Sequence, residues 1–214
     1  MKPGLAFLAV TLGGLLCAGC ALTTTSGQTD SLSNTYRAAS QLPPQVHRIA
    51  VLPVTVAAAD LATEEGRDAL EPVLYAELHK RAVADLVTVP REELWTLTGK
   101  REWTTAEALP KDFFERLRTA TGCDAVVFCH LTYFRAYPPL GVGWKLQLMD
   151  TQKRVLWAVD EVLDAGNPAV AAAARHYGAR CFRASWDTAD TILASPRQFG
   201  QYAAAAALQT MPSR

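Results

Sequence analysis

The sequence has little that would point to catalysis or to nucleic acid. It has no excess of either charge, since 21 Lys and Arg balance 21 Asp and Glu. A nucleic-acid-binding domain carries a basic face, so no nucleic-acid partner is expected. The 4 histidines, His47, His79, His130 and His176, are scattered, and none stands at ligand spacing from another histidine or from a cysteine. No metal and no cofactor are expected. There is no Gly-x-Ser-x-Gly, no internal repeat and no Cys-x-x-Cys after the first 20 residues. No apolar run reaches the roughly 20 residues that cross a bilayer as a helix.

The remaining fragments of catalytic pattern read as structure. His130 follows Cys129, but neighbours on a strand point to opposite faces, so they do not form a thiol dyad. Gly141-Val142-Gly143 lies between two predicted strands with no helix after it and reads as a hairpin turn, not a phosphate loop. Asp160, Glu161 and Asp164 read as a solvated strand end. Glu64-Glu65 and Glu92-Glu93 fall in first turns of predicted helices, where the helix dipole favours acids. The chain is not expected to be an enzyme. A hydrolase reading would need a cleft holding a hydrogen-bonded nucleophile and base.

What is present begins with an address. Lys2 is the only charge before Asp30, and a short apolar run, Leu5 to Gly19, follows it. One positive residue, a short apolar core and small residues at the cut fit a bacterial secretory signal over residues 1–19. Cys17-Ala18-Gly19-Cys20 resembles a lipobox. That resemblance implies cleavage after Gly19 and palmitate-bearing lipidation of Cys20. Ala21, where a retained lipoprotein would have Asp, implies sorting to the outer membrane. Residues 20–45 are rich in Ser, Thr, Gln and Asn and end at Pro43-Pro44. They lack a sustained apolar period and read as a flexible tether. Of the later cysteines, Cys129 reads as a small buried hydrophobe, and Cys123 with Cys181 is the candidate disulfide, which a periplasm would permit.

From residue 46 to 214 the pattern is α/β. "RIAVLPVTV" reads as a strand buried on both faces. Leu70, Leu74 and Leu78 then share a helix face. Pro72 either kinks that helix or marks its first turn. "DLVTVP" is a short strand, and Pro90 to Gly99 bound a short helix. Thr104 and Glu107 resemble a capping box, and a helix over 110–121 closes at Gly122. "CDAVVFCHLTYF", "GWKLQLMD" and "RVLWAVDEVL" are predicted strands of an antiparallel meander. In the second, Trp144, Leu146 and Leu148 fall on one face. Two C-terminal helices follow, one from Pro168 and one capped by Ser195 with Pro196 and Gln198. The expected domain is single, with a five-stranded mixed sheet in the order β-α-β-α-α-β-β-β and a C-terminal helical extension.

"RIAVLPV", "LVTVPREEL", "TGCDAVVFCHLTYF" and "LMDTQKRVLWAVDE", in that order, resemble the group that includes the TolB amino-terminal domain, the curli-secretion lipoprotein CsgG and LpoB-type lipoprotein activators. The resemblance covers about residues 47–164. Its elements are Gly122, Asp124, Val126 and Val127, then Asp150 and Trp157. It implies a small α/β domain with a binding or assembly role in the cell envelope. Connections such as Pro138 to Gly143 are too short for the pore-building hairpins of CsgG, since a spanning strand takes about 9–11 residues.

The expected function is therefore a periplasm-facing outer-membrane lipoprotein that binds another envelope protein or itself. The alternative is a binder of a small molecule or peptidoglycan fragment. Aromatic residues are the candidate partner contacts: Tyr133, Tyr137 and Trp144 around Pro138-Pro139, and Trp95 and Trp103 around Gly99. Tyr133 or Phe134 with Trp144, and equally Trp95 and Trp103, have a second reading, as filling for the core beneath the helices.

Overall fold

The computed structural model describes residues 32–56, 61–182 and 186–214. The signal segment, the Gly19 cleavage point and Cys20 lie outside them. The strands are β1 (Thr35–Arg37), β2 (Arg48–Val56), β3 (Asp85–Thr88), β4 (Ala125–Arg135), β5 (Gly141–Asp150) and β6 (Val155–Asp164). The helices are α1 (Leu61–Arg81), α2 (Arg91–Thr98), α3 (Phe113–Thr121), α4 (Pro168–Cys181) and α5 (Pro196–Gln209), with a 3₁₀ helix, Trp186–Leu193, before the last. The fold is α/β, with one mixed sheet in the order β1-β6-β5-β4-β2-β3.

The sheet has two halves. β3, β2 and β4 are parallel, and β4, β5 and β6 form the expected antiparallel meander. One face is buried throughout: Val51, Val54, Val127, Leu146, Trp157 and Val159 pack with residues of α1 and α5 such as Leu70, Leu74, Phe199 and Ala203. The other face is covered over the parallel half, where Ala50, Leu52, Val126 and Phe128 meet Leu94 of α2 and Phe113 and Leu117 of α3. Parallel strands need cover on both faces, whereas antiparallel ones tolerate water on one.

Local signals behave as their chemistry requires. Gly99 (φ 78°) and Gly122 (φ 70°) end α2 and α3 in the left-handed conformation. Ser195 caps α5 by accepting from the Gln198 N–H. Helix α1 runs unbroken through Pro72, so that proline is interior and does not mark a helix start. Asp124 accepts the N–H groups of His47 (2.9 Å) and Arg48 (3.1 Å) and so fixes the start of β2 against β4. Asp150 accepts from Gln152 and Arg154 backbone N–H, each at 2.9 Å, closing the β5–β6 turn. Trp157 Nε1 donates to Thr210 Oγ1 at 2.9 Å, tying β6 to the end of α5.

Five sequence expectations are corrected. Residues 32–45, read as tether, belong to the folded body. β1 pairs antiparallel with β6, Gln41 bridges Ser213, and Leu42 and Val46 are buried. Each such burial is worth about 1.5–3 kcal/mol, which short polar flanks had concealed. The sheet accordingly has six strands. Cys123 and Cys181 are free: Cys123 is buried under α3 and Cys181 is exposed at the end of α4, so they lie in different layers. Gly141 and Gly143 lie inside β5 and form no turn. A Cβ at Gly141 would meet Tyr133 Cε1 at 2.5 Å, and one at Gly143 would meet Thr132 Oγ1 at 2.5 Å. The turn is residues 136–140, with a cis Pro138–Pro139 bond. Thr104 and Glu107 bond to each other, but they open a turn and no helix.

Gly66 sets how closely α1 lies on β4, because a Cβ there would be 2.4 Å from Phe134 Cγ. Alanine is the better helix former by about 1 kcal/mol, yet overpacking costs about 1–3 kcal/mol. Gly66→Ala is therefore expected to lower stability in urea denaturation, against the helix-propensity trend.

Candidate functional site

The site is built where the covered half of the sheet meets the open half, and a defect in β2 creates it. Pro53 lies inside β2, where β4 pairs the strand but β3, which pairs only Arg48 to Val51, has ended. Proline cannot donate to a ladder. The pairing with β4 accordingly shifts register: Val51 faces Val127, but Val54 faces Cys129. β2 thus carries one extra residue, a bulge.

The backbone groups around the bulge are satisfied by side chains. The Val54 N–H donates to Glu71 Oε1 (3.3 Å), and an Arg91 guanidinium N–H reaches the Val54 carbonyl (3.0 Å), while Tyr75 Oη, whose one proton goes to Glu71, lies 3.3 Å from the Leu52 carbonyl. Glu71 also accepts from Tyr75 Oη at 2.6 Å and pairs with Arg91 at 2.8 Å. Burial, with Glu71 beside it, raises the Tyr75 pKa, so the phenol stays protonated. Burial pulls the Arg91 pKa down, but hydrogen bonds to Glu71 and Glu102 outweigh it and hold the guanidinium charged.

The bulge flips the alternation of β2. Leu52 points to the α2–α3 side, and three residues later Thr55 points there too. Thr55 then stands opposite His130, His130 opposite Lys145, and Lys145 opposite Asp160. Four adjacent strands thus present one lateral row of polar side chains. Behind it, Phe128, Gln147, Ala158 and Tyr36 form the next row.

A cleft of about 290 Å³ opens over these rows. Its lining includes Thr55, Phe128, His130, Lys145 and Gln147 from the sheet, and Trp103, Thr104 and Thr105 from the segment after α2. Trp103 is held in place by its indole N–H, which donates to Thr98 Oγ1 at 2.8 Å, and by an edge contact with Phe113 at 5.6 Å. Lys100 lies over the Trp103 ring at 5.1 Å. At the rim, Lys145 Nζ pairs with Asp160 at 3.2 Å.

The Thr55–His130 pair decides what the cleft can do. Thr55 Oγ1 is 2.7 Å from His130 Nδ1 and 3.1 Å from the Cys129 carbonyl. A hydroxyl has one proton. If it went to Nδ1, the contact with the Cys129 carbonyl would have no proton. If it goes to the carbonyl, Nδ1–H donates to Oγ1 and both contacts are hydrogen bonds. The second arrangement satisfies more groups, so Nδ1 carries the proton and Nε2 is left as an acceptor. Burial first, and then Lys145, lower the His130 pKa below its ordinary 6.5, with Asp160 opposing. The ring is neutral at pH 7. Thr55, itself buried, donates away from the imidazole and is not activated by it. Cys129 is buried on the opposite face, where desolvation raises its thiol pKa, so no dyad forms.

The aromatic residues singled out in the sequence do not converge. Only Trp103 lines the cleft. Trp144 is 1% exposed and fills the core, because its strand register places it with Leu146 and Leu148; it is not a surface contact. Tyr133 is half-buried against Gly141 and lies 5.8 Å from the Arg135 guanidinium. Trp95 (41% exposed) stands on α2, and Tyr137 (80% exposed) on the 136–140 turn. Asp160, Glu161 and Asp164 are each engaged, with Lys145, Ser33 and Arg135 respectively, and no metal-holding cluster occurs among the described residues. Sequence reading missed Thr55, Lys145 and Gln147. The alternation of "GWKLQLMD" does place Lys145 and Gln147 together on the face away from Trp144, but nothing in it reveals which side chains of other strands join them.

No protein-family profile matches the chain, and no curated protein matches it. Solved structures do resemble it. The PelC dodecamer from Paraburkholderia phytofirmans is 11% identical, with 84% of this chain and 98% of that chain covered and a TM-score of 0.46. Lipoprotein GNA1162 from Neisseria meningitidis is 20% identical, covering 55% and 79%, with a TM-score of 0.38. The LpoB C-terminal domain from Salmonella enterica is 14% identical, covering 54% and 81%, with a TM-score of 0.35. Structural neighbours thus include lipoprotein GNA1162 and the LpoB C-terminal domain. At these identities the function has to be argued from the chain's own residues.

Long-range ¹H–¹⁵N spectra of His130 test the site. The expected ring is neutral and protonated on Nδ1, with a pKa below the ordinary value. In Lys145→Gln, loss of the neighbouring cation is expected to raise that pKa. A ring protonated on Nε2 contradicts the assignment.

Proposed function

We propose that the chain is an outer-membrane lipoprotein, anchored through Cys20 and facing the periplasm, that acts as a non-catalytic binding or assembly factor for another envelope protein. One observation carries the binding role. Among the described residues, no helix lies on the second face of the sheet over β5, β6 and β1, and that face displays Tyr36 (53% exposed) and Val162 (52% exposed) beside the Lys145–Asp160 pair. Aromatic and apolar groups with flanking charge are what a docking face offers. The anchored placement is supported by the lipobox-like Cys17–Cys20 and by where the folded body begins. Ser33 Oγ and the Asn34 N–H both bond Glu161. That places Ser33, near the start of the described residues, beside the β6 end that carries Asp164, where Arg135 bridges to the 136–140 turn. Tyr137 projects from that turn. No described helix is long and apolar enough to cross a membrane.

A second reading, a binder of a small molecule or peptidoglycan fragment, is favoured by the cleft beside His130. Ligand-dependent thermal shift reads it directly, since a ligand that binds only the folded state raises Tm.

Crosslinking in living cells of the native host, followed by purification through a C-terminal tag and mass spectrometry, tests the first reading. The expected result is one envelope protein captured by the wild type and lost in Cys20→Ala. Tyr137→Ala and Tyr36→Ala are expected to reduce capture about tenfold if either is an anchor of the interface. Recovery of the chain alone, or of nothing, overturns the adaptor reading.

A further inference from the structure

We propose that the folded body rests on the bilayer with the end that carries Leu61 and Tyr137, and that these two side chains enter the lipid headgroup layer. The inference rests on the anchored-lipoprotein reading above and adds to it which end meets the membrane. Tyr137 (80% exposed) and Leu61 (78% exposed) are the two most exposed large apolar side chains among the described residues. They belong to different elements, and the topology puts them at one end. Helix α1 follows β2 and leads to the parallel strand β3, so it runs antiparallel to β2 and β4. Gly66 of α1 lies against Phe134 of β4. Going back from Gly66 to Leu61 and forward from Phe134 to Tyr137 therefore leads the same way, to the carboxyl end of the parallel strands.

The chain enters the body at that end too. Ser33 Oγ and the Asn34 N–H bond Glu161, near the end of β6, where Asp164 stands opposite Gly141 and Gly141 opposite Arg135. Ser33 is 13 residues beyond Cys20, a stretch that spans at most about 45 Å. The opposite end, with Gly122 and Lys153, is a β4 length away, about 35 Å for its 11 residues. Resting on that end would require those 13 residues to be drawn nearly straight along the body, which costs chain entropy. Resting on the Tyr137 end requires no such stretch.

The 136–140 turn suits a membrane boundary. Arg135 donates to the Pro139 carbonyl and pairs with Asp164 at 2.7 Å, and the Ala165 N–H donates to the Leu140 carbonyl at 2.8 Å. Tyr137 thus projects from a braced loop. Pro138 and Pro139, both exposed, have no N–H to desolvate. Tyrosine combines an apolar ring with a polar tip and is enriched at membrane–water boundaries. Glu64 and Glu65 stand close behind Leu61 on α1, so the contact is apolar and not an attraction to anionic lipid. Two side chains do not hold a free domain on a membrane. On an anchored body they compete only with other orientations, because the anchor already keeps the lipid at high effective concentration.

The experiment uses the full chain, ¹⁵N-labelled, purified from host membranes and placed in phosphatidylcholine nanodiscs that carry a lipid with a paramagnetic gadolinium headgroup. Mass spectrometry of the same sample reads the acylation of Cys20. The amide signals of Leu61 and Tyr137 are expected to lose at least about threefold more intensity than those of Gly122 and Lys153, as in a body with one preferred orientation. In the double variant Leu61→Ser with Tyr137→Ser this imbalance is expected to shrink to what the attachment point alone gives, with Tm unchanged because both positions are on the surface. Tyr36→Ser, which removes an exposed aromatic from the bare sheet face, is expected to leave it as in the wild type. Acylated Cys20 with equal loss at both ends, or with greater loss at Gly122 and Lys153, overturns the orientation and leaves the anchor standing. An unchanged imbalance in the double variant overturns the role of the two side chains. Cys20 without acyl chains removes the anchored reading and this inference with it.

Discussion

Pro53 is the constraint to which the rest of the structure answers. A proline within a strand removes a ladder donor and is normally confined to edges and bulges. Here the strand absorbs it as a bulge, and Glu71 and Arg91, with Tyr75 bonded to Glu71, satisfy the N–H and carbonyl of Val54. Buried backbone groups without partners would cost about 1–3 kcal/mol each, so the clamp is a condition of β2 occupying the middle of the sheet. It also draws α1 and the start of α2 to the same point, since Glu71 lies on one and Arg91 on the other. The bulge resets which face each later residue of β2 sees. Without it, Thr55 would point into the α1–α5 core and His130 would have no partner for Nδ1.

The same strand order explains why the site lies where it does. β2 and β4 are parallel and need helices on both faces, while β5 and β6 are antiparallel and need only one covered face. α2, α3 and the Trp103 segment therefore end partway across the sheet. The cleft is the step at that edge, aromatic where the cover ends and polar where the bare strands begin. The bare strands also form the surface proposed for a protein partner. The two readings thus use adjoining areas of one sheet face, and a ligand in the cleft would touch Lys145 and Gln147 on strand β5, which belongs to both.

The sequence made legible whatever depends on neighbours in the chain. Gly99 and Gly122 end helices as left-handed caps, Ser195 and Pro196 start α5, and the alternation of Trp144, Leu146 and Leu148 sends those side chains to one core. The order of the main elements follows from such signals, and so does the α/β class. Features that depend on distant pairing were hidden. β1 is three residues of polar surroundings held by β6, more than a hundred positions away. Trp144 and Tyr133 could serve core or surface until the register was known. Thr55 and His130 are brought together by pairing between β2 and β4 and by a bulge that changes parity, and neither is written in the local pattern. Pro53 was visible within "RIAVLPVTV", but the residues that compensate it lie on two later helices.

The most direct test of this account is the state of the His130 ring in Glu71→Ala, a change that touches neither the histidine nor the cleft. Wild type and variant would be compared by long-range ¹H–¹⁵N spectra and by exchange of the Nδ1 proton, at a temperature where methyl spectra show both to be folded. If the clamp sets the bulge and the bulge sets the site, the variant loses the protected Nδ1–H and the single tautomer. A His130 ring with unchanged tautomer and exchange rate would show that the site is independent of the clamp.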